Sequence, residues 1–337
     1  LKNNTVGVKI FEEAVEKIEH IDSEVSTVLL KDGTKIKADL FVNCTGWSSI
    51  FSEAIKHAKW IDRSGDMPVN IAVAAPIEYV DEALEMHPYT TAKCLDIGWM
   101  WVTPIQSRIG SGIIFNSSIT SVEEAKSKFD SIWGDRRLAE FNVLRWEPKY
   151  NSESWLGNVV SIGLSSGFVE PLESSGLALI AEAGYSLLGR IRKGFYNLTD
   201  ILAHNAKMTL DYEETMDFVR LHYLNSTYTS KFWDMVGEQK LTESLKERIS
   251  LYEKFGYSNV FLPWGAIFAS HSWITLFEGV GVKGCFPSGN SSTDDLITLN
   301  HHYANNEIYK HRSAHSNFDL LQMKKGVSEY GRGEPIA

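Results

Sequence analysis

The sequence has 337 residues, of which 43% are hydrophobic and 23% charged, and its formal net charge is −10. This length and composition are typical of one large or two ordinary globular domains with buried cores. The acidic balance argues against a nucleic-acid surface, which needs basic residues, and against an anionic membrane surface. Because no apolar run reaches the roughly 18 residues of a membrane span and we find no secretory signal, the sequence predicts a cytoplasmic protein.

The cysteine and histidine residues do not form a recognisable metal motif. Cys44, Cys94 and Cys285 are far apart in the chain, so each is expected to be a reduced, buried or unreactive thiol. His311 and His315 have a metal-like spacing, but no third ligand stands nearby in a familiar pattern. We therefore expect surface histidines and no bound metal.

The first part of the chain contains a predicted β-hairpin and a candidate ligand turn. Residues 25–30 and 34–44 are rich in β-forming residues, and the Asp32-Gly33 pair between them supplies the positive φ of a tight turn. The second run ends in a break at Gly46. Ligands of α/β folds commonly bind where an apolar strand ends in a turn of small residues, so this break is a candidate site.

Strands and one helix are predicted in the middle of the chain. The alternation of apolar residues favours strands over residues 69–75 and 90–115. A helix is predicted over residues 121–133, with Ser121 as its N-cap and two glutamates in its positive first turn.

Helices are predicted to dominate the remainder of the chain. Residues 177–191 are apolar on nearly all sides at first, which predicts a buried helix. Residues 212–223 and 242–254 have the amphipathic pattern of helices. Together with the preceding strands, these segments predict an α/β (α+β) fold whose last third is mainly helical.

The loop over residues 161–176 has the composition of a binding loop and leads directly into the apolar helix. Its glycines and serines let the backbone come close to a ligand. Ser174 and Ser175 stand at the N-cap position, and free N–H groups there bind anions. Glu170 and Glu173 lie in the same loop. On these residues alone, a ligand site and a well-capped helix with two solvated glutamates stay open as alternatives.

Two tryptophans share one predicted strand. Trp99 and Trp101 are two residues apart in the stretch 98–104, so in a strand their side chains point to the same face. Two adjacent indoles form a rigid apolar wall that could separate two compartments or stack on a flat ligand. A buried core is the alternative, because tryptophan is highly buried on average.

A dinucleotide-binding fingerprint near the C-terminus is rejected. Residues 279–284 match the Gly-x-Gly-x-x-Gly pattern, but the sequence Cys-Phe-Pro-Ser-Gly follows them. The fingerprint requires a helix at that point, because the helix N-terminus faces the pyrophosphate.

Taken together, the tryptophan strand and the glutamate loop resemble the tryptophan halogenases. That family has a Trp-x-Trp-x-Ile-Pro motif, which corresponds to residues 99–104 with Thr103 in place of isoleucine. Its Gly-Leu-Ser-Ser segment continues into Glu-Pro-Leu-Glu-Ser-Thr-Gly, which corresponds to residues 163–176 with Ser175 in place of threonine. Residues 39–46 resemble the family's strand and turn beside the flavin, and the resemblance covers nearly the whole chain.

The resemblance implies an FAD-dependent monooxygenase-like flavoprotein fold. Residues 1–180 would be the C-terminal part of the FAD-binding module, and residues 181–337 would be a mainly helical substrate-binding region. The family's dinucleotide-binding loop and its catalytic lysine lie upstream of the region that resembles Leu1. We therefore expect a longer protein, in which activity requires the preceding part.

The resemblance also implies an activity. In the family, reduced FAD from a separate flavin reductase reacts with oxygen, and a bound halide is oxidised to hypohalous acid. The acid travels through a tunnel and halogenates an aromatic small molecule. Carried over to this sequence, Glu173 and Ser174 are the catalytic residues, with Glu173 acting on the electrophile, and Ser175 and Gly176 bind the halide.

Further residues are assigned by the same resemblance. The expected FAD-binding residues are Gly46, Gly163, Leu164 and Leu177, and the expected tunnel residues are Trp99, Trp101 and Pro104. Phe268 aligns with an aromatic residue that stacks on the substrate, and Pro263 falls where tryptophan-specific members have a glutamate for the substrate ammonium. Without that carboxylate, we expect a neutral aromatic substrate rather than free tryptophan.

Two other functions stay open at this point. An FAD-dependent monooxygenase or reductase of the same fold would have no use for the tryptophan wall and the Glu173 loop together. A non-catalytic fragment that docks to a flavoprotein partner is supported only by the unusual N-terminus. A homo-oligomer also stays open.

Overall fold

The computed structural model describes residues 7–21, 24–47, 50–51, 55–191, 194, 196–256 and 266–284. The strands are Val15–Ile21 (β1), Glu24–Leu30 (β2), Lys35–Ile36 (β3), Phe41–Asn43 (β4), Trp60–Asp62 (β5), Ile71–Ile77 (β6), Thr91–Leu95 (β7), Gly98–Ile105 (β8), Arg108–Phe115 (β9), Asn142–Arg145 (β10), Lys149–Asn151 (β11), Trp155–Leu156 (β12), Val159–Ser161 (β13) and Gly167–Phe168 (β14). The α-helices are Glu82–Glu85 (α1), Val122–Trp133 (α2), Ser175–Ile191 (α3), Leu198–Leu221 (α4), Lys231–Glu238 (α5), Glu243–Phe255 (α6) and Ser270–Gly279 (α7). Three 3₁₀ turns cover Gly134–Arg136, Gly163–Ser165 and Leu172–Ser174.

The chain divides into two compact units, and each takes segments from both halves of the sequence. Unit 1 comprises Leu1–Arg63 and Pro148–Thr215, and unit 2 comprises Ser64–Glu147 and Met216–Ala337. The single boundary that we predicted near residue 180 does not coincide with a boundary between these units. Sequence order could not indicate this arrangement, because each unit is closed by contacts between distant segments.

Unit 1 begins with the predicted hairpin. Strands β2 and β3 pair antiparallel, and Gly33 has a φ of 85° in the turn between them, as the Asp-Gly pair predicts. The second predicted run, residues 34–44, is split. β3 completes the hairpin, whereas β4 pairs parallel with β13 in another sheet, so the chain has to leave the first sheet between them.

Only one stripe of helix α3 is buried, which corrects our prediction of a helix buried on nearly all sides. The buried residues Leu179, Ala183 and Leu187 recur every four positions, as expected for one face of a helix. On the other faces, Leu177 and Tyr185 are 73% and 72% exposed in the described structure. Apolar composition therefore overestimated how much of this helix the described chain covers.

Unit 2 contains a five-stranded antiparallel sheet in the order β10-β6-β9-β8-β7. Alternate residues of β6 (Ile71, Val73, Ala75 and Ile77) pack into a core with Phe129 of α2. The predicted strands over 69–75 and 90–115 are confirmed, the second as the three strands β7, β8 and β9. Helix α2 begins as predicted, because the Ser121 hydroxyl accepts a hydrogen bond from the Glu124 N–H at 3.2 Å.

Helices α6 and α7 of unit 2, together with Phe218 and Leu221 at the end of α4, surround a second core, which includes the fully buried Tyr252, Trp273 and Phe277. The Thr242 side chain caps α6 by accepting a hydrogen bond from the Leu245 N–H at 3.1 Å. The rejected fingerprint begins at Gly279, the last residue of α7, and the segment after Gly284 lies outside the described residues.

The described part of the chain contains neither a membrane-spanning helix nor a cluster of metal-binding side chains. None of its helices combines the length and the apolar character needed to cross a membrane. No group of three or more His, Cys, Asp or Glu side chains within those residues is placed to hold a metal ion. Cys285, His311 and His315 lie outside the described residues.

Candidate functional site

The candidate site in unit 1 is built where two parallel strands end. Strands β4 and β13 end at Asn43 and Ser161, which face each other in the register. The Asn43 amide donates to the Ser161 hydroxyl at 3.2 Å, and the Ile162 N–H donates to the Asn43 carbonyl at 2.9 Å. Parallel strands end at the same edge of a sheet, so the loops that follow β4 and β13 begin next to each other.

A second pair of bonds holds the two loops together. The Gly46 N–H donates to the Ser165 hydroxyl at 2.8 Å, and this hydroxyl donates to the Gly46 carbonyl at 3.1 Å. Gly46 has a φ of 79°, a conformation that favours glycine. The structure therefore brings together two segments, residues 39–46 and 163–176, that the sequence analysis had assigned separately to the flavin.

The loop after β13 and the start of α3 enclose a cavity of about 340 Å³. Five of the predicted site residues line it: Gly163, Leu164, Ser174, Gly176 and Leu177. Ile180, Phe168 and the ring of Tyr212 complete its apolar wall, and Glu170 also lines it. Glu170 is only 1% exposed, so the alternative of two solvated glutamates is wrong for this residue.

The backbone is strained at the predicted catalytic pair. Glu173 and Ser174 have φ values of 61° and 52°, in the left-handed region that residues with a Cβ rarely adopt. Such outliers cost about 1–3 kcal/mol each and cluster at active sites, where the surrounding structure holds them in place. Glu173 is exposed at this bend and does not line the cavity. Sequence reasoning missed the strain because nothing in the letters Glu-Ser-Ser indicates a left-handed conformation.

The serines at the start of α3 do not cap the helix, so our N-cap prediction is wrong. The helix begins at Ser175, directly after the left-handed Ser174, without the extended residue that normally precedes a helix. Ser175 is 1% exposed, and its Oγ has no hydrogen-bond partner among the described residues. The first turn of a helix also leaves backbone N–H groups without intrahelical acceptors. This combination of donors is suited to an anion.

A network beneath the cavity was not found by sequence reasoning. The Tyr212 ring stacks on Tyr150 with 5.1 Å between ring centroids, and the Tyr150 hydroxyl donates to Glu213. Arg63 holds the same carboxylate, with 2.6 Å between Nη2 and Oε2. Burial raises the pKa of Tyr212 to about 12, and burial together with the Glu213 carboxylate raises the pKa of Tyr150 further. Arg63 and Glu213 are 150 residues apart, so no local pattern could have indicated their pairing.

One aromatic residue beside the cavity was also missed. The indole of Trp47 meets the ring of Phe168 edge-on, with 5.8 Å between the ring centroids and 73° between the planes. Trp47 is 52% exposed, although it follows directly after the Gly46 turn. The sequence signal that could have identified it is a tryptophan placed directly after the predicted glycine turn.

Two of the three predicted tunnel residues, both tryptophans, are neighbours in unit 2. Trp99 and Trp101 lie on one face of β8, with 6.4 Å between their ring centroids, while Met100 enters the core on the other face. The same-face prediction is confirmed. Trp99 is buried and Trp101 half-buried, as is Pro104 further along the strand. The indole of Trp101 lies over Gly112, where a Cβ would come within 2.0 Å of the Trp101 Cη2 atom.

The predicted substrate residue, Phe268, is half-buried in front of α7. Its ring stacks on Phe218 with 3.8 Å between centroids, and it packs against the second core of unit 2. One face of the ring is therefore covered by Phe218. Pro263 and Trp264, which belong to the same part of our alignment, lie outside the described residues.

Solved structures define the class of this fold. A tryptophan 6-halogenase from Streptomyces toxytricini matches with a TM-score of 0.83 and 27% identity, over 94% of this chain and 63% of that chain. A flavin-dependent halogenase from Xanthomonas campestris matches with a TM-score of 0.76 and 29% identity, over 82% and 56%. The fold is the FAD-dependent monooxygenase-like fold of flavin-dependent halogenases, as predicted.

The chain belongs to the tryptophan halogenase family, whose model matches residues 2–289. The tryptophan 7-halogenase of Lentzea aerocolonigenes is 30% identical over 250 residues, which are 73% of this chain and 47% of that protein. The tryptophan 6-halogenase of Streptomyces albogriseolus is 29% identical over 292 residues, 79% and 55% respectively. The chain thus spans about half the length of these curated relatives.

The contact between Trp101 and Gly112 can be tested by substitution. We expect Gly112→Ala to destabilise the protein by about 1–3 kcal/mol, because the new methyl group overpacks against the indole. Gly110→Ala in the same strand is the matched control, since its Cβ would lie 3.6 Å from the nearest atom. Urea unfolding followed by circular dichroism gives both values. The cost at Gly112 should vanish in a Trp101→Ala background, and a cost that persists there would contradict the contact.

The strain at Glu173 can be tested in the same way. Glycine adopts the left-handed conformation without a Cβ clash, so Glu173→Gly should be more stable than Glu173→Gln by up to about 1 kcal/mol. At Glu247, inside the regular helix α6, the same comparison should have the opposite sign, with glycine about 1 kcal/mol less stable. Free energies of unfolding in urea measure both differences. Equal signs at the two positions would show that the bend is not strained.

Proposed function

We propose that the complete gene product is an FADH2-dependent halogenase that uses oxygen and a halide to halogenate an aromatic small molecule. The observation that carries this proposal is the strained Glu173–Ser174 bend, which leads into a helix whose first turn has a buried, unpaired Ser175 hydroxyl. A helix start with free donors is suited to bind the halide, and a neighbouring carboxylate is suited to accept a proton, so the two groups fit the proposed chemistry. The family and the names of its relatives support the same activity.

The residues around the cavity fit the flavin ring of FAD. Leu164, Leu177 and Ile180 are exposed apolar side chains that line the cavity, and such a surface is suited to a flat aromatic ligand. Gly163 has a φ of 69°, and a Cβ there would lie 3.3 Å from Ile180, so a side chain would narrow the cavity. We assign these residues and Gly46 to flavin binding. When bound, reduced FAD supplies the electrons that activate oxygen for oxidation of the halide.

The halide is assigned to the start of α3. Ser175 can donate its hydroxyl hydrogen, and the backbone N–H groups of Ser175 and Gly176 belong to the first turn, where the helix dipole is positive. A buried hydroxyl without a partner costs about 1–3 kcal/mol, and a bound anion would recover that cost.

Glu173 is assigned to the electrophile and Ser174 to its support. The left-handed bend presents an exposed carboxylate, which can accept a hydrogen bond from hypohalous acid and later take the proton that the aromatic ring loses. Trp99 and Trp101 form an apolar wall, and with Pro104 we assign them to the tunnel through which the acid reaches its substrate. The wall would prevent the substrate from reaching the flavin.

The partners of the protein follow from this chemistry. Reduced FAD has to be delivered, and we propose a separate flavin reductase as its source. The cytoplasmic location, the homo-oligomer and the assignment of Phe268 to the substrate also stay predictions.

The role of Glu173 is tested by Glu173→Gln. We expect halogenated product to fall at least about a hundredfold, the range for loss of a general acid or base, while oxygen consumption by reduced FAD is unchanged. Product is measured by mass spectrometry and oxygen with an electrode. Glu243→Gln removes an exposed glutamate of α6 and should change neither quantity. If product still forms at a near wild-type rate, the Glu173 carboxylate is not needed for catalysis and the residue only shapes the bend.

The substrate class is tested by competition. The half-buried aromatic ring of Phe268 and the proline at position 263 predict neutral, electron-rich rings such as indoles, phenols or anilines. Loss of one charge-assisted hydrogen bond to the substrate ammonium is worth about 1.5–3 kcal/mol, or roughly ten- to a hundredfold in discrimination. Several neutral compounds should therefore be halogenated faster than free L-tryptophan in the same mixture. If tryptophan is the best substrate, another acidic residue must bind its ammonium group.

A further inference from the structure

The indole of Trp99 is held by a tyrosine that lies outside the tryptophan motif. The Trp99 Nε1–H donates to the Tyr223 hydroxyl oxygen at 2.9 Å. Both side chains are buried, at 7% and 3% exposure, so water does not compete freely for this bond. The two residues are 124 positions apart in the sequence and belong to the same unit.

Tyr223 is itself fixed by aromatic neighbours. Its ring contacts Phe232 and Trp233 of α5, with centroid separations of 6.4 Å and 6.0 Å. These contacts, together with the burial of the phenol, leave the ring little room to move and so restrict the position of its hydroxyl. A rigid partner of this kind can set the orientation of the indole that bonds to it.

Helix α5 and its N-cap residue also form hydrogen bonds with the β7–β8 hairpin, which carries Trp99. The Trp233 Nε1–H donates to the Leu95 carbonyl at 2.7 Å, and the Ser230 hydroxyl donates to the Asp96 carbonyl at 2.5 Å. Leu95 pairs with Gly98, the residue before Trp99, in the β7–β8 hairpin. Helix α5 and its N-cap residue Ser230 are therefore bonded to the hairpin near its turn, and α5 supports the Trp99 indole through the ring of Tyr223.

We propose that Tyr223 is a positioning residue that fixes the rotamer of Trp99 and thereby keeps the tryptophan wall closed. The indole can rotate about two side-chain bonds, and the strand alone fixes only its Cβ. The hydrogen bond to Tyr223 selects one orientation, in which Trp99 meets Trp101 edge-on. This inference rests on the proposed function, because a closed wall matters only where hypohalous acid has to be channelled.

The test uses Tyr223→Phe in the complete gene product, because this change keeps the ring and removes only the hydroxyl. We expect the amount of halogenated product per oxygen consumed to fall about fivefold, the equivalent of one net hydrogen bond. Hypohalous acid trapped in solution by a dione such as monochlorodimedone should rise correspondingly. The rate of oxygen consumption should stay within about twofold, since the flavin chemistry precedes the tunnel. Tyr252→Phe is the matched control, because it removes the hydroxyl of another buried tyrosine of the same unit, which bonds to Glu278.

A double-mutant cycle separates positioning from a merely structural role. Trp99→Phe removes the indole N–H, so adding Tyr223→Phe to it should lower the product yield no further. An equal further loss in that background, or an unchanged yield in the single Tyr223→Phe variant, would overturn the proposal. Loss of thermal stability without loss of yield would also overturn it.

A spectroscopic measurement keeps this proposal distinct from the proposed function. With ¹⁵N-labelled indole groups, the Trp99 N–H resonance is identified by its absence in Trp99→Phe, and it should shift in Tyr223→Phe but not in Tyr252→Phe. An unshifted resonance would overturn the hydrogen bond itself. If the wild-type protein halogenates no aromatic compound while the resonance shifts, the proposed function fails although the bond between the two side chains exists.

Discussion

The parallel pairing of β4 with β13 is the interaction on which the candidate site depends. It joins segments that are 118 residues apart through the Asn43–Ser161 hydrogen bond, and the Gly46–Ser165 bonds extend the connection into the loops. The ordered start of the glutamate loop follows from this pairing, because the loop leaves a strand whose end is fixed. The left-handed bend at Glu173 and Ser174 and the start of α3 at Ser175 lie within 14 residues of Ser161 along the chain.

The strained bend and the helix start act together. A regular N-cap would place an extended residue with a bonded side chain before Ser175. The left-handed Ser174 replaces it, and the consequence is a buried hydroxyl and first-turn N–H groups that keep their capacity to bind an anion. Strain in the backbone and an unpaired polar group both lower stability, so their coincidence in one loop is typical of a binding site rather than of a helix cap.

Sequence reasoning was successful where local chemistry decides the structure. The Asp-Gly hairpin, the Ser121 cap and the shared face of Trp99 and Trp101 depend on turn geometry, capping and strand periodicity. The motif spacing also indicated the family, whereas the bonds between Gly46 and Ser165 that join the two loops came from the structure.

Features that depend on distant contacts could not be predicted. The exposure of α3 is decided by what packs against it, and apolar composition does not contain that information. The pairing of Arg63 with Glu213 and that of Trp99 with Tyr223 both join residues more than 100 positions apart. The left-handed conformation of Glu173 and Ser174 is imposed by the loop around them, and it has no marker such as glycine.

The stacked tyrosines beneath the cavity have a consequence for the proposed function, in which a halogen electrophile forms close to them. Electrophilic halogen reacts much faster with a phenolate than with a neutral phenol. Burial raises the pKa of Tyr212 to about 12, and burial together with Glu213 raises the pKa of Tyr150, so both rings form phenolate less readily at neutral pH than an exposed tyrosine does. Under the proposed function, the burial that holds this pair in place would also lower its reactivity toward the halogen electrophile.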